Sequence, residues 1–240
     1  MLEEYSTFQN GHVVVRFKEI DKLYVGITTQ ALKRGLKILF DYFGKISFEN
    51  IQAVIASKRV EFDNLVINFL GVPIKTPSNP GRLSQPQRFD IVILSPNAYE
   101  NDSIYKFNPD EYARLMIHEL VHVFEEALTP DIETSPLWWS EGLAVYISKQ
   151  HLFDSDLLIP INNAIKNGDI PTLKEVTCND NLCYLWGWSV VAFIENNFGK
   201  ETIIKIVKET RNGNILDFVP DSVLLFENNW RVWISKEGKS

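Results

Sequence analysis

Little in this sequence can do thiol chemistry or build a multi-metal centre. Cys178 and Cys183 are the only cysteines among 240 residues. They can close one small disulfide or stay as two free thiols, and they read as structural in either case, with too few ligands nearby for a second metal site. Positive charge is also short: 24 Lys and Arg stand against 31 Asp and Glu, giving a net charge of −7 and a pI near 5.2. No basic stripe exists to neutralise phosphates, which argues against a nucleic-acid partner. Long hydrophobic runs are missing too. The most apolar stretch, Leu182 to Ile194, is interrupted by Gly187 and Ser189 and falls short of the ~20 residues that span a bilayer. Met1-Leu2-Glu3-Glu4 carries neither a basic segment nor an apolar run. No signal peptide is read there, and the expectation is a cytoplasmic protein, with a trimmed secreted chain as the alternative. No internal repeat or low-complexity segment is evident. What remains is an ordinary globular composition, 45% hydrophobic and 23% charged, in a chain long enough to bury a sizeable core as one large domain or two lobes.

Histidine is scarce as well, and its placement is informative. Two of the four histidines fall in His118-Glu119-Leu120-Val121-His122, and Glu141 follows in Trp138-Trp139-Ser140-Glu141-Gly142-Leu143-Ala144. In a chain of this composition such a string arises by chance about once in two hundred sequences, so its context must be tested. On a helix, residues four apart project from one face about one turn of ~5.4 Å from each other. Two imidazoles so placed can meet one Zn²⁺ at ~2.0–2.1 Å each. Glu119 lies one position on, able to reach a water at the metal without binding the metal, and so to serve as general base. Glu141 supplies a third ligand and leaves a fourth position open, as catalytic zinc requires.

The local context agrees. Asn108-Pro109-Asp110-Glu111 reads as a helix start, with Asn108 as N-cap, Pro109 first in the helix and acids in its first turn. The run from Tyr112 to Leu128 has no Gly or Pro until Thr129-Pro130, which puts both histidines in mid-helix. Ser135-Pro136 reads as a second N-cap and first-turn proline, placing Glu141 in a returning helix. The competing explanation is a pair of hydrogen-bonded core histidines. It leaves carboxylates on a helix that is apolar on nearly every side, a costly arrangement that a metal ion resolves for His118, His122 and Glu141 together. His12 and His151 lie outside the motif and read as non-ligands.

These residues resemble the gluzincin branch of zinc metallopeptidases, and particularly the bacterial peptidase MA-like domains. The similarity rests on His118-Glu-Leu-Val-His122 and Trp139-Ser-Glu141-Gly-Leu-Ala-Val-Tyr146. Softer matches extend it to residues 11–30, an opening strand and helix, to Ile165–Leu173, a linker, and to Tyr184–Gly199, a later helix. The resemblance implies that His118, His122 and Glu141 bind Zn²⁺ and that Glu119 is general base and acid. It further implies that a helical-lobe donor, for which Tyr184 is the candidate, steadies the developing oxyanion; an ordinary packed aromatic is the other reading of Tyr184. One position departs from the pattern. Many gluzincins carry an Asp four residues after the glutamate ligand, orienting a zinc histidine, and Val145 stands there. That histidine's outer partner must come from elsewhere or be a backbone carbonyl.

The first half alternates. Strands are expected at His12–Phe17, Ile51–Ala56 and Phe89–Leu94, and helices at Thr28–Phe43 and Val60–Leu70. The Pro-, Ser-, Gly- and Gln-rich stretch between Gly71 and Arg88 is a solvated loop, or else a mobile flap or edge hairpin. In the resembling enzymes substrate adds to the sheet edge nearest the zinc helix, and Phe89–Leu94 is the strand assigned to that edge. After Pro130, helices are expected near 136–150, 156–167, 180–198, 200–211 and 221–235. All six Trp lie in this half, mostly as core.

The expected fold is thus α+β and zincin-like: residues 1–130 as an α/β lobe with a small mixed sheet, the zinc-motif helix at the lobe junction, and residues 131–240 as a mainly helical lobe. The expected function is a zinc-dependent peptidase acting on a peptide or protein substrate. The absence of a Gly-x-Met-x-Asn string for amino-terminus capture favours an endopeptidase. The alternative is a zinc-binding regulatory or interaction protein with little proteolysis. Val145 supports it, and Glu119 opposes it, since a purely structural site needs no base.

Overall fold

The computed structural model describes residues 2–237. The chain divides into two compact units, Met1–Phe124 and Glu125–Ser240.

The first unit is built on a five-stranded mixed sheet of order β1-β2-β3-β5-β4, with β1 Ser6–Asn10, β2 Val13–Phe17, β3 Ile51–Ala56, β4 Ser84–Gln87 and β5 Asp90–Leu94. The three inner strands run parallel, and an antiparallel strand closes each edge. Burial follows that order. β3 and β5 are buried almost throughout, whereas β1 is exposed at every position and β4 is half-buried. β1 was not legible because its Ser-Thr-Phe-Gln-Asn has no buried face to generate an alternation.

Two expectations about this sheet change. The strand expected at Phe89–Leu94 exists, but it is interior. The edge belongs to β4, formed within the Gly71–Arg88 stretch, which therefore contains an edge hairpin turning at Arg88 and Phe89. Ser-Gln-Pro-Gln has weak strand propensity, and the missing N–H of Pro86 suits an edge, so the pairing comes from the register of β5. The loop before β4 is held by a buried guanidinium. Arg59 donates to the carbonyls of Pro80, Arg82 and Asp102 and to the Ser78 hydroxyl. Asp63 meanwhile accepts from the Ser78 backbone and side chain.

Helices α1 (Lys22–Phe43), α2 (Arg59–Asn68), the short α3 (Tyr99–Asp102) and α4 (Pro109–Leu128) complete this part of the chain, with the division between the units falling inside α4. α1 begins a turn and a half before the expected Thr28. Asp21 anchors its start: this buried carboxylate accepts from the hydroxyls of Ser57 and Ser95 and from the Asn97 amide, partners distant in sequence. α1 then packs along α4. The Thr28 and Tyr112 hydroxyls meet at 2.8 Å. Further along, a Cβ on Gly35 would stand 2.6 Å from Leu120 Cδ1, and Phe40 and Phe43 close against the Phe124 ring. α4 starts as expected, with Asn108 Oδ1 accepting from the Asp110 and Glu111 amides.

The second unit is helical: α5 Leu137–Ser148, α6 Gln150–Phe153, α7 Ser155–Asn167, α8 Leu173–Cys178, α9 Asp180–Phe198, α10 Lys200–Glu209 and α11 Val223–Glu237. α8 was not foreseen, although Thr172 and Glu175 form a full capping box at its start. α5 begins one residue later than expected. Pro136 is extended and acts as N-cap, its carbonyl accepting from Trp139 and Ser140, while the Ser135 amide is spent closing the preceding 3-10 turn. Cys183 is buried and donates to the Val176 carbonyl, Cys178 is exposed, and both are free thiols.

α5 and α9 cross at two glycines. A Cβ on Gly142 would lie 2.4 Å from the Gly187 carbonyl carbon, and one on Gly187 would lie 2.2 Å from the Trp138 carbonyl oxygen. Those obstacles are backbone and cannot swing away. Gly187→Ala should therefore destabilise the protein by about 3 kcal/mol or more, at the upper end of overpacking costs, and lower the midpoint of thermal unfolding followed by circular dichroism. An unchanged midpoint would show that the helices are not held this closely.

Candidate metal centre

α4 carries the candidate centre because its sequence gives each face a different task. Tyr112, Ile117, Leu120 and Phe124 face α1 and are buried. His118, His122 and Glu125, spaced by four and three residues, form a second stripe, and Glu119 lies about 100° round from His118. His118 is buried and His122 half-buried. Their Nε2 atoms stand 3.1 Å apart. Two ligands held at ~2.0–2.1 Å from one tetrahedral ion lie roughly 3.3 Å from each other, so this separation is close to a metal bite.

Glu119 is 5% exposed. Its Oε1 accepts a hydrogen bond of 2.5 Å from the Ser84 hydroxyl on β4. Sequence reasoning missed Ser84. Its segment read as a loop, and nothing local marks a serine that will meet a carboxylate from a distant helix.

In the second unit, Glu141 follows Ser140 on α5. Tyr184, in the first turns of α9, donates from its hydroxyl to Glu141 Oε1 at 3.1 Å. The glycine crossing explains the pairing: Glu141 immediately precedes Gly142, and Tyr184 lies about one turn before Gly187. Ser140 was likewise missed. Its hydroxyl donates to Oε2 of Glu125, a carboxylate that is 1% exposed. Val145, at the position where the resembling pattern has an acid, is buried among the core residues.

His118, His122 and Glu141 each offer one ligand atom, and these atoms lie within 4.8 Å of one another. This group could hold a metal ion. Two imidazole nitrogens and one carboxylate oxygen form a donor set suited to zinc, with three protein ligands and room for a fourth from solvent or substrate. Glu119 is outside the group.

The other two histidines are placed elsewhere. His12 is exposed, its Nδ1 against the Glu49 carbonyl. His151 is stacked between Tyr146 and Trp188, with ring centroids 5.3 and 4.6 Å away. Burial pushes its pKa down to about 4, Lys149 adds to the effect, and the Val145 carbonyl opposes it.

No protein-family model matches the sequence, and no curated protein matches it. Solved structures do. The chain is similar to a mutant of a two-domain M1 zinc metallopeptidase bound to L-arginine, with TM-score 0.53 and 14% identity over 96% of this chain and 51% of that one. It is similar also to a mutant M1 zinc metallopeptidase from Deinococcus radiodurans, with TM-score 0.52 and 13% identity over the same shares. The chain thus spans about half the length of these structures. No helix among its described residues is long and apolar enough to cross a membrane.

His151 makes stability depend on pH. Between pH 6.5 and about 4 the unfolded chain takes up a proton there and the folded chain does not, so its contribution is complete above 6.5 and is lost as pH falls toward 4. His151→Phe should flatten the decline in urea-unfolding free energy across this window. An equally steep decline would place the loss at other groups. At these identities the comparisons speak for architecture, and the architecture is a zincin-like α+β fold.

Proposed function

We propose that this protein is a zinc-dependent peptidase, with His118, His122 and Glu141 as metal ligands and Glu119 as general base. The observation that carries the reading is the group of three ligand atoms within 4.8 Å, with a buried carboxylate one residue from the first histidine and outside the group. A purely structural zinc site closes its fourth position with a protein ligand and has no use for such a carboxylate. The zincin-like fold supports the same reading, as do the solved neighbours, which are zinc metallopeptidases.

Zinc held by these residues supplies a Lewis acid that polarises a carbonyl and acidifies a water. Glu119 takes the proton of the attacking water and passes it to the leaving amine. Tyr184, whose hydroxyl already reaches Glu141 at 3.1 Å, is a phenolic donor beside the ligand group and stabilises the oxygen on which negative charge develops.

A diverse peptide library digested by the zinc-loaded protein and read by mass spectrometry tests the activity. Cleavage by the wild type but not by Glu119→Gln supports the reading, whereas no cleavage by either turns it toward a zinc-binding interaction protein. Where cleavage occurs, Glu119→Gln should retain zinc and lose ~10²–10⁴-fold in rate, the range for a general base. Zinc loss in that variant would make Glu119 a ligand. Glu141→Ala should weaken zinc by more than the about 10–100-fold that removal of an outer partner costs, measured by competition with a chromophoric chelator. Unchanged affinity would remove Glu141 from the ligand set.

A further inference from the structure

Glu119 has three side-chain torsions to fix, and a general base works only from one arrangement of them. Freezing such a side chain costs conformational entropy, so something must hold it. The Ser84 hydroxyl donates to Glu119 Oε1 at 2.5 Å. The hydroxyl is the donor and Oε1 the acceptor, so the single hydroxyl proton of Ser84 is committed to this bond.

The donor is itself fixed. Ser84 pairs with Ile93 across β4 and β5, and the carbonyl of the preceding Leu83 accepts from the Leu94 amide at 2.8 Å. Upstream, the buried Arg59 guanidinium holds the carbonyls of Pro80 and Arg82. A hydroxyl on a pinned strand is a more exact director of a carboxylate than one on a free loop. With Oε1 engaged by Ser84, the direction of the whole carboxylate is set, Oε2 included.

We propose that Ser84 is a positioning residue for Glu119, holding Oε1 and thereby setting the direction of the carboxylate that acts as base. The kinetic consequence rests on the peptidase reading; the positioning itself does not.

The test compares zinc-loaded wild type, Ser84→Ala and Ser84→Thr, by high-resolution crystallography and by kcat and KM on a cleaved peptide. Glu119 should occupy one conformer in the wild type and in Ser84→Thr, and several in Ser84→Ala, with zinc content equal in all three. Misplacing a reacting group is costly, so kcat of Ser84→Ala should fall about tenfold with KM within about twofold, and Ser84→Thr should restore kcat. In a Glu119→Gln background, Ser84→Ala should cost nothing further. The proposal is overturned if Glu119 keeps its single conformer in Ser84→Ala, if kcat is unchanged, or if the loss persists in the Glu119→Gln background. Should Ser84→Ala not fold, Ser84→Cys, a near-isosteric but weak donor, takes its place with the same expectations. If the wild type shows no Glu119-dependent cleavage, the peptidase reading fails and the conformer comparison alone decides on Ser84.

Discussion

Two imidazole nitrogens 3.1 Å apart can share a proton or share a metal. Two N–H groups or two bare lone pairs at that distance repel. Residues one helical turn apart can bring their rings to that distance, and the helix that carries them is packed along one side. Tyr112, Ile117, Leu120 and Phe124 bury one side against α1, where a methyl group on Gly35 would stand 2.6 Å from Leu120. Glu119 is drawn to the sheet by Ser84. The histidine pair and its neighbouring carboxylate thus sit on a helix whose packing against α1 is largely apolar.

The helical unit applies the same economy to Glu141 and Tyr184. Neither residue is fully buried, and both sit on helices that meet through Gly142 and Gly187, with backbone against backbone. The crossing places the Tyr184 phenol against the Glu141 carboxylate. Ser140 and the buried Glu125 make a second contact one residue away. In each unit, then, hydrogen bonds such as Ser84–Glu119 and Tyr184–Glu141 act on a scaffold set by close helix packing.

The zinc-motif helix was legible because its signals are local: the Asn108 cap, Pro109, an uninterrupted apolar run and two histidines one turn apart. β3 and the helices separated by Gly44, Gly168 and Gly199 were legible for the same reason. The unforeseen features depend on distant partners. β4 is a strand because β5 offers it a register and Arg59 holds its approach, and nothing in Ser-Gln-Pro-Gln announces this. Assigning the sheet edge to Phe89–Leu94 erred because a polar strand covering an apolar one is nearly invisible to periodicity. Ser84 with Glu119, Ser140 with Glu125 and Gly142 with Gly187 are contacts between segments far apart in the chain. α8 was overlooked for a different reason: its capping box is plain in Thr172 and Glu175, but six residues are too few to establish a helical period.

The proposed chemistry needs one ion held by two imidazoles and a carboxylate. X-ray absorption at the zinc edge of protein loaded with one equivalent of Zn²⁺, together with its metal content after dialysis, addresses that directly. One retained zinc per chain, a shell of nitrogen and oxygen neighbours only, and multiple scattering from two imidazole rings are expected. Loss of the metal on dialysis, a sulfur neighbour from Cys178 or Cys183, or scattering from a single ring would contradict this ligand set.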